Sequence, residues 1–143
     1  MTATTTSLAI CLLLLAGCST TPSQDSQLRA IGIQTFGTDA NLKVHDIFYG
    51  GPGENMSDEF DASTDVGAIA SHMKAAKSQK IDLVVSSKSS HLAAATVLAA
   101  LRSPSLRSGL QQLRLLFVGT PEDAARIKPV VEATGAKFYF HAK

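Results

Sequence analysis

Short apolar runs separated by polar turns organise the second half of the chain. Ile81 to Val85 is apolar apart from Asp82, and Leu113 to Val118 forms another such run. Runs of this length bounded by turn residues predict strands buried on both faces, as parallel sheets require. Lys137 to His141 predicts a last short strand.

Helical patterns lie between these strands. An apolar stripe predicts a helix that begins at Ser63 or Thr64, and its members are Val66, Ile69, Ala70, Met73 and Ala76. Ser90 to Arg102 is apolar nearly all round, so we expect this second helix to be heavily buried.

A third helix has clear start signals. Thr120 suits the N-cap and Pro121 suits the first helical position. Pro129 is expected to kink or end this helix, because proline lacks an N–H and clashes one turn back. Gly135 is the expected stop.

The first half of the chain is harder to interpret. Ile31 and Ile33 alternate within residues 28–36, which predicts a strand. Leu42 to Tyr49 fits either a strand or a helix, and its β-branched and aromatic residues favour the strand. Two such strands would form a hairpin around the turn at residues 37–41.

The order of these elements predicts an α/β fold. Strand, helix, strand, helix and strand joined by short links indicate parallel strands with right-handed crossovers. We expect a single domain with four or five mostly parallel strands, helices packed on the sheet in two or three layers, and an N-terminal hairpin at one edge.

The N-terminus carries a different pattern. Ser7 to Gly17 is an uncharged apolar run of the length of a signal-peptide core, shorter than a membrane-spanning helix. A buried core helix is the alternative, but the run has no polar face. Residues 1–7 hold no Lys or Arg, so the α-amino group supplies the usual charge or the true start lies upstream.

Leu15-Ala16-Gly17-Cys18 resembles the lipobox of bacterial lipoproteins. The resemblance implies cleavage before Cys18, a diacylglycerol on its thiol and an acylated amino group. Ser19 stands where an Asp would signal inner-membrane retention, which implies the outer membrane. The expected organisation is a signal peptide at 1–17, a lipidated flexible tether at 18–27 and an α/β domain at 28–143 facing the periplasm.

Composition excludes several classes of protein. The formal net charge of +1, with interspersed charges, argues against a nucleic-acid partner. Cys11 would leave with the signal and Cys18 would be lipidated, so the remaining chain has no thiol for a disulfide, a zinc site or a nucleophile. The four histidines lack metal-ligand spacing, and the acidic residues of 54–65 lack EF-hand spacing. We predict no metal and no cofactor.

Three loops would gather at the carboxyl ends of the strands, where open parallel sheets bind ligands. Residues 50–55 are rich in glycine but match neither a P-loop nor a dinucleotide-binding motif. The loop after Val85 is more suggestive, because four serines and a lysine precede a helix start that could bind an anion. Capping by Ser89 or Ser90 is the alternative. The candidate ligand-binding residues are Ser86, Ser87, Lys88, Ser89, Ser90, His91 and Thr120.

These observations predict a non-catalytic outer-membrane lipoprotein. It would be a structural or accessory component of an envelope assembly, such as a secretion, conjugation, pilus or polysaccharide-export machine. One alternative is a ligand-binding or hydrolytic domain that uses the loop at 86–91, although no G-x-S-x-G motif is present. An immunity or exclusion lipoprotein is another.

Overall fold

A computed structural model of the chain describes residues 21–47 and 64–143. The predicted signal peptide, Cys18 and the glycine-rich loop at 50–55 lie outside the described residues. Across these ranges, no helix is both long enough and apolar enough to span a membrane.

The predicted α/β fold is confirmed as a four-stranded, all-parallel sheet in the order β1-β2-β3-β4. Its strands are β1 (Leu42–Ile47), β2 (Ile81–Ser87), β3 (Leu113–Gly119) and β4 (Lys137–Ala142). The helices are α1 (Gln24–Phe36), α2 (Thr64–Ala75), α3 (Ser90–Leu101) and α4 (Pro121–Ala133). A short 3-10 helix, Pro104–Leu106, follows α3.

The sheet has unequal cover on its two faces. Every crossover steps one strand further in the same direction, so right-handed crossovers put α2, α3 and α4 on one face. There they bury a large core that includes Leu83, Leu115 and Phe117. The opposite face carries α1, whose Leu28 and Phe36 join a smaller core. The molecule therefore has three layers, and the α1 face is the thinner one.

The predicted strand at 28–36 and the N-terminal hairpin are both wrong. This segment lies in α1, where Leu28, Gly32 and Phe36 recur every four residues and face the sheet. The alternation of Ile31 and Ile33 was misleading, since the Ile33 side chain is 38% exposed.

Capping residues fix the ends of α1. The Ser23 hydroxyl accepts the N–H of Ser26, and Gly37 ends the helix in the left-handed region at φ 75°. The helix begins at Gln24, so the predicted domain boundary at residue 28 falls inside α1. Gln24 to Gln27, which the sequence assigned to the tether, form its first turn.

The strand interpretation of Leu42 to Tyr49 is confirmed for residues 42–47, which pair parallel with β2. Of the two effects expected at Pro129, a kink or an end of the helix, the end is wrong, because α4 continues to Ala133. Ile127 and Val131 on either side of this proline are buried against the sheet, and their packing holds the helix together.

Close packing fixes α1 on the sheet. A Cβ atom at Gly32 would lie 2.9 Å from side-chain carbons of both Leu42 and Val84. Real Cβ atoms do not approach other atoms so closely, so the absence of a side chain at this position lets α1 lie on β1 and β2.

An ion pair with a buried carboxylate closes the α1 face at the amino ends of the strands. The Arg114 guanidinium donates from Nε and Nη2 to the two carboxylate oxygens of Asp82, at 2.6 and 2.7 Å. Asp82 is fully buried, and the hydrogen bonds to it raise the pKa of Arg114. Arg114 also lies over the Phe36 ring, which meets Tyr139 edge to face. We call these four residues the closed end.

Candidate functional site at the carboxyl edge of the sheet

Helix N-termini meet the carboxyl ends of the strands at one edge of the sheet. Helices α3 and α4 begin directly after β2 and β3. Helix α1 runs antiparallel to the strands, so that Pro22 and Gln24 lie beside Val118 and Ala142. The positive ends of these three helix dipoles therefore lie at this edge, together with backbone N–H groups that have no partner within their own helices.

The predicted loop at 86–91 uses two of its serines to hold the fold. The buried Ser87 hydroxyl donates to the Ile47 carbonyl at 3.2 Å and accepts the N–H of Ser89 at 3.3 Å. The Ser89 hydroxyl caps α3 by accepting the N–H of Leu92 at 3.3 Å. Of the two caps considered from sequence, Ser89 is the one formed.

Ser90 and Thr120 join the starts of α3 and α4. The Thr120 N–H donates to the Ser90 hydroxyl at 2.8 Å, and this hydroxyl donates to Thr120 Oγ1 at 3.3 Å. The Thr120 hydroxyl in turn donates to Asp123 and caps α4. A Cβ atom at Gly119 would collide with the Ser90 hydroxyl, so the two loops are tightly packed.

His91 lies at the outer rim of this edge. Its Nδ1 is 3.2 Å from a guanidinium nitrogen of Arg126 and 3.6 Å from Asp123 Oδ1. The arrangement pairs His91 with α4 rather than with a serine hydroxyl. Lys88 is exposed on the same loop. The predicted residues are thus close in space, but most of their polar atoms bond to one another.

Ser86 differs from the other serines of the loop. It is fully buried, and within residues 21–47 and 64–143 its hydroxyl has no hydrogen-bond partner. The neighbouring strand carries a second such atom, Oδ1 of Asp46, and the two residues are paired in register. Buried polar atoms are rarely left unpaired, because each one costs desolvation energy. Two such atoms on adjacent strands favour a bound water molecule, or a hydrogen-bond donor of a ligand, between them.

Asp46 and Ser86 lie in the same row of side chains as two residues that line an open groove on the α1 face. The strand register places four residues in one row across the carboxyl end of that face: Asp46, Ser86, Val118 and His141. Beside α1, the last two help to line a groove of about 370 Å³. We call it the α1 groove, and it is lined by Pro22, Gln24, Gln27, Leu28, Ile31, Val118, His141, Ala142 and Lys143.

Lys143 fixes one wall of the α1 groove. Its ammonium donates to the Ser87 carbonyl at 2.9 Å, and its N–H donates to the Gly119 carbonyl at 3.0 Å. The groove has apolar side chains from α1 and β3 with amide, imidazole and ammonium groups around them. Surfaces of this mixed character suit contacts with proteins or small ligands.

A histidine cluster that the sequence did not reveal lies between β1 and α2. His45 Nε2 is 2.9 Å from Asp65 Oδ1, and the His45 ring lies 6.5 Å from that of His72. The pKa of His72 is lowered, mainly by burial and to a smaller extent by the charges of His45 and then Lys43. The seven-residue spacing of Asp65 and His72 on one helix face was the available signal. Among the described residues, no three His, Cys, Asp or Glu side chains are arranged to hold a metal ion.

Comparison with protein-family models, with curated proteins and with solved structures finds no match for this chain. Functional inference therefore rests on the residues of the chain itself.

Proposed function

We propose that this protein is a lipid-anchored lipoprotein of the bacterial outer membrane. Its α/β domain acts in the periplasm as a structural or accessory component of a cell-envelope assembly. The observation that carries the proposal is the sequence Leu15-Ala16-Gly17-Cys18 at the end of an uncharged apolar run. A lipid anchor raises the local concentration of a subunit that docks on a membrane complex.

The α1 groove supports this proposal through its distance from the anchor. Pro22 lines the groove, and Cys18 precedes Pro22 by four positions. At roughly 3.3 Å per extended residue, the lipid attachment point lies within about 13 Å of Pro22. A partner in the same membrane would meet the groove first, since the tether holds this side of the domain close to the lipid.

Metabolic labelling with an alkyne fatty acid tests the anchor. The wild-type chain should incorporate the label and sediment with membranes, and the Cys18→Ala variant should do neither. The Cys11→Ala variant is the matched control, because its cysteine lies within the signal, and it should be labelled like the wild type. Unchanged labelling of the Cys18→Ala variant would remove the lipoprotein proposal.

A purification from intact cells tests the accessory role. The chain carries an affinity tag after Lys143 and is crosslinked before lysis. Recovery of defined envelope-machine subunits, at levels well above those obtained with a tagged unrelated outer-membrane lipoprotein, is the expected result. Equal recovery from both baits contradicts the accessory role while leaving the lipid anchor intact.

Small-ligand binding is the second candidate function. The Asp46 oxygen and the Ser86 hydroxyl favour it, because neither has a partner among the described residues. A carboxylate oxygen accepts hydrogen bonds and would take a hydroxyl or ammonium donor. Ser87, Ser89 and Ser90 contribute less to this candidate than the sequence predicted, because they bond within the protein. A thermal-shift survey of amines and polyols on the wild type and the Ser86→Ala variant tests it. A shift present only in the wild type supports binding at this position, and no shift in either contradicts it.

A further inference from the structure

Strand β4 is the last strand of the sheet, and no other described strand pairs with its outer side. On its inner side β4 pairs with β3, and the N–H of Lys143 donates to the Gly119 carbonyl. Because backbone groups alternate along a strand, the N–H and C=O groups of Phe138, Phe140 and Ala142 point away from β3. No described residue bonds to them, so β4 presents a row of free donors and acceptors.

This edge lacks most features that protect exposed strands. Bulges, prolines and charges in mid-strand normally prevent edge-to-edge pairing. The β4 register runs without interruption from Lys137 to Ala142, and the sequence K-F-Y-F-H-A holds no proline and one charged residue, at its start. The Phe140 side chain is 40% exposed. Such a flat aromatic edge is suited to pairing with another strand.

We propose that two copies of this chain pair through β4, antiparallel, about a twofold axis at Tyr139. The two sheets then form one continuous eight-stranded sheet. This inference goes beyond the proposed function and stands on the geometry of the sheet alone. An axis perpendicular to the sheet keeps each face continuous across the interface, so residues that face each other must come from the same face.

The β4 sequence is self-complementary in this register. Tyr139 lies opposite its own copy, Phe138 lies opposite Phe140, and Lys137 lies opposite His141. Aromatic cross-strand pairs stabilise antiparallel strands, whereas like charges directly opposite destabilise them. Moving the axis to Phe140 would set Lys137 opposite Lys143, which favours the axis at Tyr139. This self-complementarity argues for a second copy rather than for an unrelated strand.

The surrounding layers accommodate the pairing. Helix α4 packs over β3 and β4. With strands about 4.8 Å apart, the two copies of α4 would lie two strand spacings, or about 10 Å, from each other, which is a normal distance for packed helices. Both copies of α1 would lie on the same face of the dimer. Two N-terminal tethers could therefore reach a single membrane.

Disulfide crosslinking of the full-length chain, purified in detergent, tests the register. Opposed Lys137 and His141 form a non-hydrogen-bonded pair with Cα atoms about 4.5 Å apart, within reach of a disulfide. Within one chain the two positions are about 13 Å apart, too far to bond. The Lys137→Cys/His141→Cys double variant should form a covalent dimer on mild oxidation. Neither single variant should crosslink more than the wild type does, while an equal mixture of the two should crosslink.

A second measurement does not depend on crosslinking. Phe140→Pro removes an outward N–H that β3 does not use, and Phe140→Ala is the control that removes the ring alone. Light scattering of the wild type and of Phe140→Ala should give twice the monomer mass, and Phe140→Pro should give the monomer mass with an unchanged circular dichroism spectrum. A monomeric wild type, or a double variant that does not crosslink, would overturn the proposal.

Discussion

The two ends of α1 differ in how completely the protein satisfies its own polar groups. At the closed end, the buried Asp82 and the partly buried Arg114 bond through two short hydrogen bonds. At the carboxyl end of the same face, Asp46 and Ser86 have buried polar atoms without partners in the part of the chain that the structure describes, and an open groove lies nearby. Helix α1 therefore extends from a polar network whose hydrogen bonds are made to a pair of polar residues whose partners are not all present among the described residues.

This difference separates a structural end from a candidate binding end. A satisfied buried network stabilises one arrangement of the fold, and removing one of its members leaves a stranded charge. The Asp46 and Ser86 atoms contribute no such stability through residues 21–47 and 64–143, because no hydrogen-bond partner for them lies in these ranges. Substitutions at the closed end should therefore affect the free energy of unfolding, and substitutions of Asp46 or Ser86 should affect binding.

The largest expected effect is at Asp82. Asp82→Ala leaves the Arg114 guanidinium without its carboxylate in a partly buried site, which should lower the free energy of unfolding by about 3 kcal/mol, the lower end of the range for buried pairs. Urea unfolding measures it. The double variant Asp82→Leu/Arg114→Met removes both charges and should recover most of the loss. A loss below about 1 kcal/mol in the single variant would contradict a structural role for the closed end.

The contact between α1 and the sheet gives the next largest effect. Gly32→Ala forces a methyl group against Leu42 and Val84, and the overpacking should cost about 1–3 kcal/mol. Gly67 is the matched control, because it lies in a helix and a Cβ atom there meets nothing within 4 Å. Gly67→Ala should raise stability by up to about 1 kcal/mol. Equal effects at both glycines would contradict the close approach of α1.

Adjacent serines allow the carboxyl end to be tested directly. Ser87→Ala removes a buried hydroxyl that bonds to Ile47 and Ser89, and should cost about 1–2 kcal/mol. Ser86→Ala removes a buried hydroxyl with no partner among the described residues, so the stability should change by less than about 0.5 kcal/mol. Chemical denaturation of both variants measures the contrast. A larger loss from Ser86→Ala would mean that this hydroxyl is bonded in solution.

The smallest expected effect is on the pH dependence of stability, and it concerns His72 on α2 rather than a residue of the α1 face. Because the pKa of His72 is lowered in the folded protein, the folded state binds fewer protons than the unfolded chain. The associated stability is present above the unfolded pKa of about 6.5 and is lost as the pH falls through the lower, folded value. Unfolding free energies at pH 7.5 and pH 5.5 should therefore differ less in His72→Gln than in the wild type. An identical difference in both proteins would contradict this linkage.

Periodicity in the sequence was sufficient to predict the second half of the fold. The strands β2 and β3 are continuous apolar runs, and Thr120 with Pro121 marks the start of α4 by local chemistry. The first helix escaped prediction because only a few of its residues face the sheet and one of them is Gly32, a poor helix former. Its position depends on contacts with distant strands, which local patterns do not encode.

The candidate site could be predicted only in outline. The sequence placed serines at the carboxyl edge, but it could not tell the unpaired Ser86 from its hydrogen-bonded neighbours. That distinction depends on the register between β1 and β2, which puts Asp46 beside Ser86. The α1 groove likewise required the correct assignment of α1, because this helix forms one of its walls.

Site-specific photo-crosslinking in intact cells tests the central claim most directly. A photoreactive amino acid is introduced at Gln24 in the α1 groove and, as a control, at the exposed Ala125 on α4, on the opposite face of the sheet. Our account predicts that Gln24 yields a discrete adduct with a different envelope protein and that Ala125 yields no adduct except with a second copy of this chain. The same partner adduct from both positions, or a partner adduct from Ala125 alone, would contradict a binding role for the carboxyl end of the α1 face.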